Sequence, residues 1–451
     1  MEIYIISVIA IALILSIKFP ELVFWIGVFG TFDIGRYFEY YSNQVLDLDV
    51  FQYLFLLFIF FPLISPKIKI SEIRKNRDLY RLTKFLILFL FYHLFVYGFF
   101  VTTNNINDFF YFTAKFSPEI VGCFSLVPAY LFIKKKPYRF YHIFVWLSVI
   151  YIGAYFLTIL SVYDLMPTIG QAIRVSTERR ILPHFAYIQF IVSLAFILII
   201  SKFKVSHKKL YLLLGLGMIL VVLMSMSRLR ILIMVIQIII MAVISSKVYK
   251  FKISIYLRTL LGATLLFIIV INIIPKYYDA TTKMYQNIYS EFFTEEVKAG
   301  TYQSRTEYEI PMQLSLLNKN PFWGTGYNEK WYSGGRGVYN ASDTPFIAAI
   351  AMFGIIGISF YLIFYFKVFL ILKKYLKFLR FNYITLIKNE QTIPIILWTL
   401  SLGILFTVLI NVGDYFKELI RGERAVYIGV FLGMLLALKD RTEIDHKKNS
   451  L

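Results

Sequence analysis

Thirteen stretches of this chain stay apolar for close to the thickness of a bilayer, and that recurrence limits the fold more than any motif does. They run over 3–18, 21–35, 50–65, 85–102, 117–133, 141–163, 185–201, 210–226, 229–246, 255–274, 344–366, 393–411 and 424–438. A helix of about 20 apolar residues crosses the hydrocarbon core. With 59% of 451 residues apolar, no water-soluble core hides this much surface. In lipid the backbone must satisfy its own hydrogen bonds, which long apolar runs do as helices. The predicted fold class is an all-α polytopic membrane protein, with about 12–14 transmembrane helices. The stretches 21–35 and 424–438 are the shortest beside it. The first stretch lacks a basic flank and a small-residue cleavage site, so it is read as a retained helix rather than a leader.

Net charge is +20, which would suit nucleic acid if the charge were spread evenly. It is not. Basic segments recur between alternate spans, at 67–84, 134–139, 202–209, 247–258, 367–388 and 439–448. The positive-inside rule places these in the cytoplasm and the N-terminus outside. The positive excess then lies on the anionic inner leaflet, and no nucleic-acid surface is needed. One asymmetry remains. Lysines outnumber arginines 23 to 7 inside, whereas arginines lead 10 to 7 outside. Lysine suffices for topology, but the guanidinium fork grips phosphate in bidentate fashion. The outer arginines are Arg36, Arg174, Arg179, Arg180, Arg228, Arg230, Arg305, Arg336, Arg421 and Arg424. Structural pairing to outer carboxylates is the plainer alternative.

The chain reads as one transmembrane domain, 1–451, with a large outer loop at 275–343. Within the loop, Met284, Ile288, Phe292 and Val297 recur at helical spacing, so 283–298 is expected to lie on the membrane surface. A second helix is expected from Ser304, where Ser304 and Glu307 form a capping-box pattern, with Pro311 ending or kinking it. Asn320, Pro321, Gly324 and Gly326 then require tight turns. The one cysteine, Cys123, excludes an internal disulfide. The five histidines show no metal-ligand spacing.

Several polar residues stand out against this background. Arg228 ends an SMSR string where two spans meet at the outer face, a costly place for a guanidinium unless it is paired, functional or snorkelling. Arg305 offers a phosphate contact. Glu307 is either a base or a cap. Trp323 and Tyr327, in NPFWGTGY, suit stacking on a sugar face, although a plain turn explains the string equally. Arg336 adds a further cation. Asp343 opens the span beginning TPFIAAIAMFGIIG, as helix cap, as general base, or as both. Arg179, Arg180 and His184 form a second basic cluster on the same side, with pairing to Glu178 as the alternative.

The order of these pieces resembles the bacterial O-antigen (oligosaccharide repeat-unit) polymerases, which are related to the O-antigen ligases. The resemblance is carried by Arg228, Arg305, Asn320-Pro321, Gly324-x-Gly326, and Asp343 through Gly357. It implies a metal-independent, cofactor-free glycosyltransferase of lipopolysaccharide biosynthesis, in the bacterial inner membrane with its active site facing the periplasm. It implies undecaprenyl-pyrophosphate-linked oligosaccharide as donor and acceptor, with membrane lipids and a chain-length regulator as further partners. Arg228 and Arg305 would stabilise the departing diphosphate, helped by Arg180. Ligases of this superfamily carry a histidine near the end of the large loop. Here the place reads ASDTPF, which leans toward polymerase and leaves the base open. A ligase, a lipid-linked oligosaccharide flippase and a membrane acyltransferase are the alternatives. The flippase expects inverted repeats and a midplane polar site.

Overall fold

The computed structural model describes residues 2–30, 49–69, 71–94, 120–143, 173–176, 180–183, 209–224, 228–249, 253–273, 310–324, 345–388, 392–410 and 422–449, and isolated residues between 145 and 199 and at 282. In chain order the elements are α1 (Glu2–Lys18), α2 (Pro20–Phe29), α3 (Asp49–Phe60), α4 (Ser71–Lys75), α5 (Arg77–Phe91), α6 (Leu126–Lys135), β1 (Ile173–Ser176), β2 (Arg180–Pro183), α7 (Lys209–Met224), α8 (Arg228–Tyr249), α9 (Ile253–Ile273), α10 (Ile310–Lys319), α11 (Pro345–Lys388), α12 (Thr392–Ile410) and α13 (Gly422–Asn449). Each described apolar helix falls on a stretch expected to span. Among the described residues, Ile253–Ile273 and Phe353–Phe381 are long and apolar enough to cross a membrane, and five shorter apolar helical stretches accompany them. The chain is an all-α membrane protein with one small β-hairpin added.

The short stretch 424–438 turns out to be the centre. Every residue from Ala425 to Leu438 in α13 is buried. A helix apolar on all sides belongs inside a bundle rather than against lipid, and α13 packs on α6, α12, α5 and α11. Its closest neighbour is α6, and glycines set that closeness. A Cβ at Gly429 would strike the Ser125 hydroxyl and the Cys123 carbonyl, and one at Gly433 would strike Leu126 and Ala129. The four-residue spacing of these glycines opens one helix face to a neighbouring backbone, as small-xxx-small stripes do in membranes. Ser125 donates its hydroxyl hydrogen to the Val426 carbonyl at 2.9 Å. At the rim the pattern inverts: α9 exposes Leu257, Leu261, Leu265, Ile268, Ile269 and Ile273, a lipid-facing surface.

Four of the six segments read as basic inner loops, 67–84, 134–139, 367–388 and 439–448, meet at one end of the bundle. Asn76 caps α5, accepting the Leu79 N–H at 2.9 Å, and its amide donates to Asp440 of α13 at 3.0 Å. Asp440 also accepts the Tyr130 hydroxyl of α6 at 2.5 Å. Lys134 lies 3.7 Å from both Asp440 and Glu72. Lys374 of α11 reaches Asp78 at 2.6 Å, and Glu21 accepts from Arg139 at 2.8 Å. Four regions far apart in sequence, around 72–78, 130–139, 374 and 440, therefore share one polar layer. Replacing Asn76 by Ala removes both the cap and the tie to Asp440. It is expected to destabilise the protein by about 1–2 kcal/mol, read as a lower unfolding midpoint in detergent. Asn76→Ser keeps a cap but cannot span to Asp440, so its midpoint should fall between the two.

One sequence expectation changes. The stretch 173–183, expected as loop, contains the hairpin, with Arg174 opposite Leu182 and Ser176 opposite Arg180. Pro311 lies within α10, which continues to Lys319; the turns expected before it, from Ser304, lie outside the described residues. The expected surface helix at 283–298 and the capping box of Ser304 and Glu307 lie outside the described residues.

Candidate functional site

The large outer loop ends in α10, and α10 lies along the start of α11. Leu316 and Ala351 are both fully buried there, with Leu317 packed on them. Beyond Lys319 the chain bends at Asn320 and turns through Pro321, Phe322 and Trp323. The Gly324 N–H closes this turn on the Asn320 carbonyl at 2.9 Å. Gly324 has φ 77°, a backbone state that glycine reaches without steric cost. The NPFWG string is thus a closed, self-bonded turn.

What the turn touches is a break in α11. Gly354 has φ 66° and ψ 178°, a region essentially reserved for glycine. The helix stops before it and a second helix starts after it. A helix start leaves backbone N–H groups without intrahelical acceptors. Here the docked turn supplies them: Ile355 donates to the Pro321 carbonyl at 3.0 Å, and Ile356 to the Phe322 carbonyl at 3.1 Å. The fit leaves no room for a side chain, since a Cβ on Gly354 would collide with the Phe322 carbonyl oxygen, the Trp323 carbonyl carbon and the Gly324 nitrogen. Two motifs singled out in the sequence, NPFWG and FGIIG, are therefore one structure.

The depth of this junction follows from the exposed face of α11. Ile355, Leu362, Ile363, Phe366, Phe369 and Leu370 are exposed and apolar, and exposed Lys373, Lys374 and Lys377 succeed them. The hydrocarbon edge at the basic end therefore lies near Leu370. A 30 Å core holds about 20 helical residues. Counting back places Gly354 within about one helical turn of the opposite edge. Phe322 is 62% exposed and Trp323 42% exposed at this level.

Beneath the break, the end of α5 and the residues just after it present an aromatic collar. Tyr92 stacks on Phe360 at 4.6 Å, Phe89 lies flat on the same ring at 5.3 Å, and His93 sits 6.3 Å from the Phe353 ring. His93 is buried. Sequence reasoning passed over Tyr92 and His93. The available signal was an imidazole inside a predicted span, which is expensive in lipid.

The sequence-predicted site residues are placed unevenly. Trp323 lies on the docked turn. Arg228 is the first residue of α8, so the helix begins at the expected outer boundary. Arg180 opens β2, facing Ser176 across the hairpin. Arg179, His184, Arg305, Glu307, Tyr327, Arg336 and Asp343 lie outside the described residues. The structure brings NPFWG to Gly354.

Comparison with known families bears on this same part of the chain. Residues 213–362 match the family model described as O-antigen ligase. The match covers about a third of the chain, and it fits the relationship read from Arg228, the loop and the FGIIG helix. It takes in most of α7, the whole of α8 and α9, the large loop, α10, the docked turn, and α11 through the break. No curated protein matches the chain. Over those residues the chain is similar to a family described by its action on O-antigen.

Proposed function

We propose that the chain is a polysaccharide polymerase of the O-antigen type. In this reading it moves a growing glycan from undecaprenyl pyrophosphate to a lipid-linked repeat unit at the periplasmic face of a bacterial inner membrane. The observation that carries the reading is the family match over 213–362, which spans both Arg228 and the turn docked on Gly354. The thirteen-span topology, with the N-terminus outside and the C-terminus inside, goes with it. Convergence of the basic segments at one end supports that arrangement.

In the reaction, a hydroxyl of the acceptor sugar attacks the anomeric carbon of the donor. The bond from that carbon to the diphosphate oxygen breaks, the hydroxyl proton passes to a base, and the lipid diphosphate leaves. Charge builds on the leaving diphosphate, so cations placed there supply the main stabilisation. Arg228 suits this role. No acidic residue stands in the first turn of α8, and a cation at a helix start opposes the helix dipole. An anion bound there would satisfy both the guanidinium and the N-terminal amides. Arg305 is its partner in the proposal, with Arg179, Arg180 and Arg336 as further cations. His184, Glu307, Trp323 and Tyr327 contact the sugars, and Asp343 takes the proton.

A ligase is the second reading, favoured by the description of the matched family. It shares the donor but delivers finished glycan to a lipid A core. A strain lacking the protein separates the two. Loss of a polymerase leaves single repeat units on the core; loss of a ligase strips all surface glycan. Asp343→Asn tests the base: near-complete loss of transfer is expected, whereas a residue acting only as a helix cap would retain most of it.

A further inference from the structure

We infer that the basic end of the bundle carries a binding surface for anionic phospholipid headgroups, built on α5 and α11. The observation is the way two lipid-facing stripes end. On α11 the exposed apolar residues Phe366, Phe369 and Leu370 are continued on the same face by Lys373, Lys377 and Arg380, all exposed. The opposite face, with Val368, Ile371, Leu372, Tyr375 and Leu379, is buried against the protein. Steps of three and four residues keep one face of a helix in line, so the cations prolong the lipid-facing stripe.

The neighbouring helix α5 does the same in the opposite chain direction. Exposed Ile87, Leu88 and Phe91 are preceded by exposed Arg77, Arg81 and Lys84. The two helices pack directly, since Phe85 faces Phe360 at 6.1 Å and Lys374 pairs with Asp78. Lys374 is thus neutralised within the protein. Among the described residues, no carboxylate pairs with Lys373, Lys377, Arg380, Arg77, Arg81 or Lys84. Six cations without a carboxylate partner therefore stand where two lipid-contacting faces leave the hydrocarbon, Lys84 over the Tyr80 ring and Lys377 over the Phe381 ring. A row of phosphodiesters lies at that level of a bilayer, and basic residues near an anionic leaflet are attracted to it over about one Debye length. Topology alone would be served by lysines anywhere in these loops. Alignment of the charges with the lipid-facing stripes singles out the headgroups.

Thermal unfolding of the full chain in mixed micelles tests this. Delipidated protein is titrated with phosphatidylglycerol, with phosphatidylcholine, or with inorganic phosphate. Phosphatidylglycerol is expected to raise the midpoint well beyond phosphatidylcholine, and the difference should shrink at high salt. In Lys373→Gln/Lys377→Gln/Arg380→Gln, the midpoint without lipid should stay unchanged, because all three side chains are exposed. The phosphatidylglycerol fraction needed for half the effect should rise about tenfold or more. Equal stabilisation by phosphatidylcholine would overturn the inference, as would full reproduction of the effect by inorganic phosphate. An unchanged phosphatidylglycerol response in the triple variant would do the same.

Discussion

Gly354→Ala is expected to lower glycan transfer by about 100-fold or more, while the bundle stays folded. The backbone state at Gly354 costs an alanine roughly 1–3 kcal/mol. Its methyl group would also push the Phe322 carbonyl away from Ile356 and the Pro321 carbonyl away from Ile355. Each lost bond strands a backbone donor near the membrane edge, at about 1–3 kcal/mol. The cheapest escape is for the turn to lift off α11, and the end of the outer loop moves with it. A displacement of about 1 Å in a positioned group is enough for a 100-fold loss. The measurement is the length distribution of surface glycan beside the unfolding midpoint of the purified variant. Gly262→Ala is the control, because a Cβ there meets only Leu216 at an ordinary 3.6 Å, and it should behave as wild type. Full polymer from Gly354→Ala would detach the docked turn from function.

Arg228→Ala and Arg305→Ala are expected to have the second large effect. Removing one preorganised contact to developing charge costs about 100- to 1,000-fold in rate. Either change should leave single repeat units on the lipid core and no ladder above them. Arg→Lys at each position keeps the charge and loses the fork, so weak, short ladders are the expected product. Normal ladders in either alanine variant would remove the diphosphate clamp from the mechanism.

Much of the fold was legible because hydropathy is additive along a helix. The described apolar helices overlap the expected spans, although α5, α11 and α13 extend well past them into basic segments, and the segments around Glu72, Lys134, Lys374 and Asp440 do gather at one end. Length misled at 424–438. That stretch is short, yet its apolar residues cover every side of the helix, and circumference rather than length marks a central helix. The break at Gly354 was not legible as a break. FGIIG displays glycines, but the partner that makes a break affordable is a turn 30 residues upstream, and no local pattern carries that contact. The hairpin at 173–183 escaped for a related reason, since two four-residue strands between polar residues carry too little alternation to stand out. Among the singled-out strings, NPFWG is the turn its asparagine, proline and glycine require. The docking of that turn through the Pro321 and Phe322 carbonyls onto Ile355 and Ile356 was not legible, because backbone acceptors leave no mark in residue types.

The position of α13 has a consequence for biogenesis. Its nearest neighbour, α6, leaves the ribosome long before it, so a slot must be held vacant while the helices between them enter the bilayer. Until α13 arrives, the Ser125 hydroxyl lacks its Val426 acceptor, and the close-packed face of α6 has no helix against it. Chains stalled before Gly422 should therefore be substrates for membrane quality control, however well their earlier helices have inserted.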